Sequence, residues 1–165
     1  MPGLTHFVNS EIGSSRIIIF FATCASVNFH YLALQHIIKS LPNTDADIYK
    51  LHGKIDQKKR SKIYSSFKKS RPNEKQETKK HLILLTTDLS SRGIDIPDVD
   101  WIIQYDPPQW SDSFVHRIGR TARAGRNGNS ILFINEPELS YISFLRQKKV
   151  EINEYENKKD EEKES

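Results

Sequence analysis

The densest chemistry in the sequence lies between Phe114 and Arg126, where Arg117, Arg120, Arg123 and Arg126 fall within ten residues. Spacing by threes puts Arg117, Arg120 and Arg123 about one helical turn apart, so a short helix would present their guanidinium groups as a ladder along one side. Guanidinium stays charged at any working pH, and its planar fork matches phosphate oxygens two at a time. Such a ladder suits a polyphosphate or a nucleic-acid backbone. The plainer alternative is a solvated basic helix face; Gly119 and Gly125 inside the run, and a second motif upstream, weigh against it.

That second motif is TTDLSSRGIDIP at residues 86–97. With FVHRIGRTARAGR at residues 114–126, it makes the chain resemble the C-terminal RecA-like domain of DEAD-box ATP-dependent RNA helicases. Motifs V and VI of that family read T-D-x-x-(A/S)-R-G-(I/L)-D and H-R-x-G-R-(T/S)-x-R. The resemblance runs over residues 16–150. It implies that Arg120 and Arg123 reach the γ-phosphate of ATP as arginine fingers, a role worth roughly 10³ to 10⁵ in rate in NTPases. It further implies that Asp95 accepts a hydrogen bond from the ribose, that Gly93 lets the backbone pass close to the nucleotide, and that His116 contacts the acidic motif of the N-terminal lobe. Arg117 either joins that group or ties down the motif V loop. Thr23, Gly53, Gln57, Arg60, Thr87 and Arg92 would line the RNA path, touching phosphate and 2′-hydroxyl groups rather than bases, so that binding ignores sequence.

Length and composition bound what must position these residues. At 165 residues the chain is long enough for one domain with a real core. No run of 18 apolar residues and no secretory leader pattern is present, and Cys24 is the single cysteine, which points to an intracellular, reducing compartment and away from a membrane. The six histidines have no partners at metal-ligand spacing, so no metal site is expected. Charge is uneven. Residues 151–165 hold seven acids and three lysines, while residues 56–80 hold ten Lys or Arg against three acids. A local basic stripe is either a nucleic-acid footprint or a solvated helix followed by a loop.

Residues 1–15 read as a linker or weak helix. RIIIFF at residues 16–21 is a β-branched apolar run, as expected of a strand buried on both faces of a parallel sheet. Thr23 follows it, where ligands gather in open α/β sheets, and it serves either as a polar contact or as a helix cap. Apolar residues Val27, Tyr31, Leu34 and Ile38 predict an amphipathic helix over residues 26–40. A strand over 47–51 leads to a turn at His52 and Gly53. Asp56 is placed as N-cap of a helix over 57–69, with Ile63, Tyr64 and Phe67 inward and the Gln57-x-x-Arg60 element at its start. Residues 70–80 read as an inserted polar loop. Further strands are expected over 81–85, 99–105 and 129–134, the third-last element being an arginine-bearing helix capped by Ser111 or Asp112, and a closing helix over 136–149 with Leu139, Ile142 and Leu145 on one side. Trp101 is expected in the core, and residues 151–165 are expected to be disordered. Alternating strands and helices predict an α/β fold, a RecA-like parallel sheet with helices on both faces.

Neither a G-x-x-x-x-G-K-[ST] loop nor a D-E-A-D quartet occurs, so the chain is not a complete nucleotide-hydrolysing machine. The resemblance implies that an N-terminal RecA-like lobe supplies them, with Mg²⁺ held there and ATP in the cleft. The chain is therefore expected to be a fragment. Ala122 departs from the usual glycine; with residues 104–108 and 140–145 it resembles helicases of large-ribosomal-subunit assembly, implying pre-ribosomal RNA, pre-ribosomal particles and a nuclear, nucleolar location. A non-enzymatic RNA-binding or protein-interaction module is the alternative. A DNA translocase is disfavoured, because those relatives place Gln where this chain has His116.

Overall fold

The computed structural model of the chain describes residues 4, 7, 15–41, 44–70, 79–88, 98–121 and 128–155, without the side chains of residues 79 and 111. Along it run β1 (Arg16–Phe20), α1 (Cys24–Ser40), β2 (Thr44–Leu51), α2 (Gln57–Lys69), β3 (Lys79–Thr86), β4 (Trp101–Gln104), α3 (Ser111–Ile118), β5 (Asn129–Leu132), a 3₁₀ turn (Glu136–Glu138) and α4 (Ser140–Gln147). The five strands form one sheet in the order β2-β3-β1-β4-β5, and all four pairings are parallel. The expected α/β sheet is thus observed. The chain falls into two compact units, residues 1–134 and 135–165.

Alternation along the strands builds two cores. Ile17, Ile19, Phe21, Ile83, Leu85 and Ile103 join Val27, Leu34 and Ile38 of α1, while Ile18, Phe20, Leu82, Leu84 and Ile102 join Phe67 of α2. Each such side chain removed from water contributes roughly 1.5–3 kcal/mol. A strand flanked by helices on both faces therefore reads as an unbroken apolar run, which is the reason β1 and β3 have their composition. Leu4 and Phe7, from the stretch expected as a linker or weak helix, are helical and buried in the first core, where Phe7 meets Trp101 edge-on at 5.1 Å. Trp101 is accordingly a packing residue.

Several expected boundaries shift. Helix α1 begins at Cys24, and its inward positions are Val27, His30, Leu34 and Ile38, with Tyr31 only partly covered. His30 takes the inward place because its ring lies 4.5 Å from Phe21 and 4.6 Å from Tyr105, and its Nδ1 donates to the Ser26 carbonyl at 2.8 Å. Strand β2 begins at Thr44, where Lys80 of β3 pairs with Asp47 at 3.3 Å and Asp45 at 3.8 Å on one face. The closing helix is a correction: Pro137 and the Glu138 carboxylate, which accepts from the Asn135 amide at 3.0 Å, form a separate 3₁₀ turn before α4. Leu139 is exposed, so it leaves the inward stripe, while Leu145 is buried. Residues 151–155 carry no regular secondary structure; of the loop expected over 70–80, Ser70 is the C-cap of α2 and Lys79 and Lys80 already belong to β3, while residues 71–78 and 156–165, the latter expected as disordered, lie outside the described residues. No helix among the described residues is long and apolar enough to cross a membrane.

Candidate functional site

In a parallel sheet all carboxyl ends emerge along one edge, and here β2, β3 and β1 are neighbours with Leu51 and Phe20 flanking Thr86 in register. Thr23, Gly53 and Thr87 follow those three ends directly, so the fold gathers them at one edge. Thr23 is exposed and its Oγ1 accepts from the Ser26 amide at 3.0 Å, capping α1 while leaving its own hydroxyl proton to donate elsewhere. Gly53 lies in an exposed turn closed by the Ile55 amide donating to the His52 carbonyl at 3.0 Å. Thr87 is buried, so its side chain lies beneath the edge rather than on it.

Helix α2 starts four residues beyond Gly53. Asp56 Oδ1 accepts from the amides of Lys58 and Lys59 at 3.0 and 3.3 Å, which fixes the first turn as the sequence predicts. Gln57 is exposed and Arg60 half-buried, and Arg60 Nη1 donates to Gln57 Oε1 at 3.3 Å. The two side chains of the Q-x-x-R element therefore act as one unit beside the strand edge.

Sequence reasoning missed the residue that joins this edge to α1. Asn28 Oδ1 accepts from Lys50 Nζ at 2.6 Å and from His52 Nε2 at 3.2 Å. His52 is buried, and burial, reinforced by the positive charges of Lys50 and Lys54, lowers its pKa below 6.5. It therefore holds the Gly53 turn as a neutral ring. No sequence signal distinguishes Asn28 from any other polar residue on an amphipathic helix.

The arginine ladder is not what the structure builds. Helix α3 ends at Ile118, Gly119 is its C-cap, and the chain then tightens through 3₁₀-type bonds from Arg120 to Arg117 (3.1 Å) and from Thr121 to Ile118 (3.0 Å). A side chain on Gly119 would come within 3.3 Å of the Val115 carbonyl, a tight approach to backbone. Nor does Ser111 or Asp112 cap the helix: the N-cap is Trp110, which supplies no side-chain hydrogen bond. Arg117 turns inward and is 2 % exposed. Its Nε and Nη2 donate to the two Asp88 carboxylate oxygens at 2.7 Å each, and its Nη1 donates to the Asp106 carbonyl at 2.8 Å and to Gln104 Oε1 at 3.3 Å. The guanidinium also lies 4.9 Å from the Phe20 ring centre. Of the two roles open to Arg117, the structure takes the second, binding the start of the 86–97 motif to the end of β4. Asp106 extends the tie by accepting from the Ala22 amide at 2.8 Å.

Arg120 is used differently. Its carbonyl accepts from the Val99 amide at 3.3 Å, and the next hydroxyl, Thr121 Oγ1, donates to the Val99 carbonyl at 2.6 Å, so the turn is anchored to the chain entering β4. The Arg120 side chain is half-exposed and makes no ion pair or hydrogen bond among the described residues. His116 is exposed on α3. Arg92, Gly93, Asp95 and Arg123 lie outside the described residues.

Comparison with known proteins follows the same lines. The family described as "Helicase conserved C-terminal domain" matches residues 4–125. A protein from Dictyostelium discoideum named probable ATP-dependent RNA helicase ddx55 is 44% identical over 151 residues, covering 92% of this chain and 21% of that protein. The ATP-dependent rRNA helicase SPB4 of Saccharomyces cerevisiae is 42% identical over 141 residues, covering 84% of this chain and 22% of its own length. The chain thus spans about a fifth of these curated relatives. Among solved structures, the helicase domain 2 of the DEAD-box protein Mss116p bound to an RNA duplex superposes with a TM-score of 0.73 at 33% identity, over 94% of this chain and 57% of that one.

Proposed function

The chain belongs to the DEAD-box ATP-dependent RNA helicases as their conserved C-terminal helicase domain, and from that membership we propose that it serves as the lobe that grips RNA and completes the ATP site of a two-lobed helicase. The observation that carries this reading is the contrast between two arginines three residues apart. Arg117 is consumed inside the fold, whereas Arg120 stands on an anchored turn with its guanidinium uncommitted among the described residues. A group that must neutralise charge developing on a transferred phosphoryl needs a fixed backbone and a free head. Arg120 has both, and Arg123, three residues on, is proposed as its companion.

ATP supplies the energy when bound between the lobes, with Mg²⁺ held by the N-terminal one. On this chain, Gly93 and Asp95 are proposed to receive the nucleotide, and His116 to meet the acidic motif across the cleft. Thr23, Gly53, Gln57 and Arg60 form an exposed or half-exposed row at the strand edge that suits phosphate and 2′-hydroxyl contacts, with the buried Thr87 behind it, and Arg92 is proposed as a further RNA contact. Because SPB4 is named an rRNA helicase, pre-ribosomal RNA is the proposed substrate, and the nucleolus the proposed place of action. The domain is proposed to run to residue 150 and to include Leu4 and Phe7, which are buried in its first core, with a charged tail over 151–165.

The isolated chain tests the binding half. It is expected to bind short RNA duplexes without sequence preference and to hydrolyse no ATP. Gln57→Ala with Arg60→Ala is expected to weaken binding at least tenfold in fluorescence anisotropy, a loss on the order of 1.4 kcal/mol or more. Unchanged binding would remove these two residues from the RNA path, and ATP turnover by the chain alone would contradict the half-site reading.

A further inference from the structure

Helix α2 carries Lys58, Lys59, Arg60, Lys62, Lys68 and Lys69 and no acid between Gln57 and Lys69. Phe67 faces the core with Ile63 and Tyr64 packed beside it. At 3.6 residues per turn the opposite side is made of Lys58, Lys62, Ser65 and Lys69, all exposed, in a straight row on the order of 16 Å long. Lys58, Lys62 and Lys69 make no ion pair or side-chain hydrogen bond among the described residues.

The N-terminal part of this row works against its own helix, whereas Lys69, in the last turn, suits the dipole. Lys58 and Lys62 are like charges four residues apart, and Lys58 and Lys59 occupy the first turn, where the helix dipole disfavours cations. Only Asp56, at the cap, offsets them. Uncompensated local conflict of this kind marks a surface whose counter-charge comes from outside. The chemistry of that counter-charge is legible too. Single-strand sites that hold bases by stacking interleave cations with rings, but the aromatic residues of α2, Tyr64 and Phe67, are on its inward side, so this row offers a base nothing to stack on. Bare lysines meet phosphate alone.

We infer that the outer row of α2, Lys58, Lys62 and Lys69, is a second RNA contact, holding the phosphate backbone of a double-stranded segment that flanks the strand gripped at Gln57 and Arg60. It rests on the proposed RNA path in one respect: RNA must arrive at the N-terminal turn of α2. The row then extends the grip along the helix and gives the lobe a preference for junctions between duplex and single strand.

The test uses the chain itself with two probes, an RNA duplex bearing a short single-stranded overhang and a single strand of the overhang sequence, titrated between 50 and 200 mM KCl. The variant is Lys58→Gln, Lys62→Gln, Lys69→Gln; a control carries the same loss of charge elsewhere, at the exposed Lys39, Lys148 and Lys149. Each lost phosphate contact lowers the slope of log affinity against log salt by about 0.9 on a duplex. The expected result is a slope shallower by about 2 to 3 and at least tenfold weaker duplex binding, with single-strand binding and the control little changed and thermal stability not reduced. Equal duplex binding by variant and wild type overturns the inference and leaves the row to an acidic protein partner. Equal loss on both probes overturns it as well, since the row would then follow the single strand. If the wild type binds neither probe, the RNA path itself fails, a result distinguishable from either.

Discussion

Arg117 and Arg120 show how little a motif's letters say about the fate of each side chain. Both belong to one arginine run, yet the first is buried against Asp88, Gln104, Asp106 and Phe20 and the second is uncommitted. Replacing Arg117 by alanine removes the guanidinium that the partly covered Asp88 carboxylate and the buried Gln104 amide bind. The expected loss of stability is about 3 kcal/mol, measured by urea unfolding, and RNA binding should fall only as far as the folded fraction does. His52 is a second residue with a defined signature. Its pKa is lowered in the folded chain by burial and then by Lys50 and Lys54. The unfolded ring takes a proton near pH 6.5 while the folded ring resists, so stability is complete above that pH and falls as pH drops through 6.5 towards the lower folded value. Urea midpoints from pH 8 to pH 5 check this. His52→Gln, which keeps a donor for Asn28, is expected to lose that part of the pH dependence.

Among the elements, α2 was fully legible: the Asp56 cap, the inward Phe67 and the bounds of residues 57–69 all follow from local rules, and the structure agrees. Helix α3 was not. Three arginines at helical spacing suggested a ladder, but Gly119 ends the helix, and the destination of Arg117 depends on Asp88, 29 residues away in the chain. Local spacing carries no information about such a partner. The cap of α3 was misread for a related reason. Ser111 and Asp112 are good capping residues, but the turn after Pro107 and Pro108 brings Trp110 to the capping position, where its exposed indole gives the helix no hydrogen bond. Trp110→Asp should therefore stabilise the domain by about 1 kcal/mol, seen as a higher urea midpoint with unchanged slope. A lower midpoint would mean that the indole itself stabilises the fold.

At the scale of the whole molecule, the fold was written in the apolar runs of residues 17–21 and 82–85, because strands covered on both faces favour apolar side chains at every position. The site was written less completely. Parallel pairing brings Thr23, Gly53 and Thr87 to one edge, but burial removes Thr87 from the surface, and Asn28, which joins Lys50 to His52, has no signature of its own. The proposal that unites these parts is a division of labour, in which the strand edge and α2 would hold RNA while the turn after α3 would offer Arg120, with Gly93, Asp95 and Arg123, to a nucleotide completed by a second lobe. RNA-stimulated ATP hydrolysis tests that most directly, measured on the two-lobed protein that joins this chain to an N-terminal DEAD-box lobe, with wild type compared with Arg120→Ala. Hydrolysis in the variant is expected to fall by roughly 10³-fold or more while RNA affinity stays within about twofold. Turnover that persists unchanged in the variant would contradict the account, and Arg120 would then be a surface cation with no part in phosphoryl transfer.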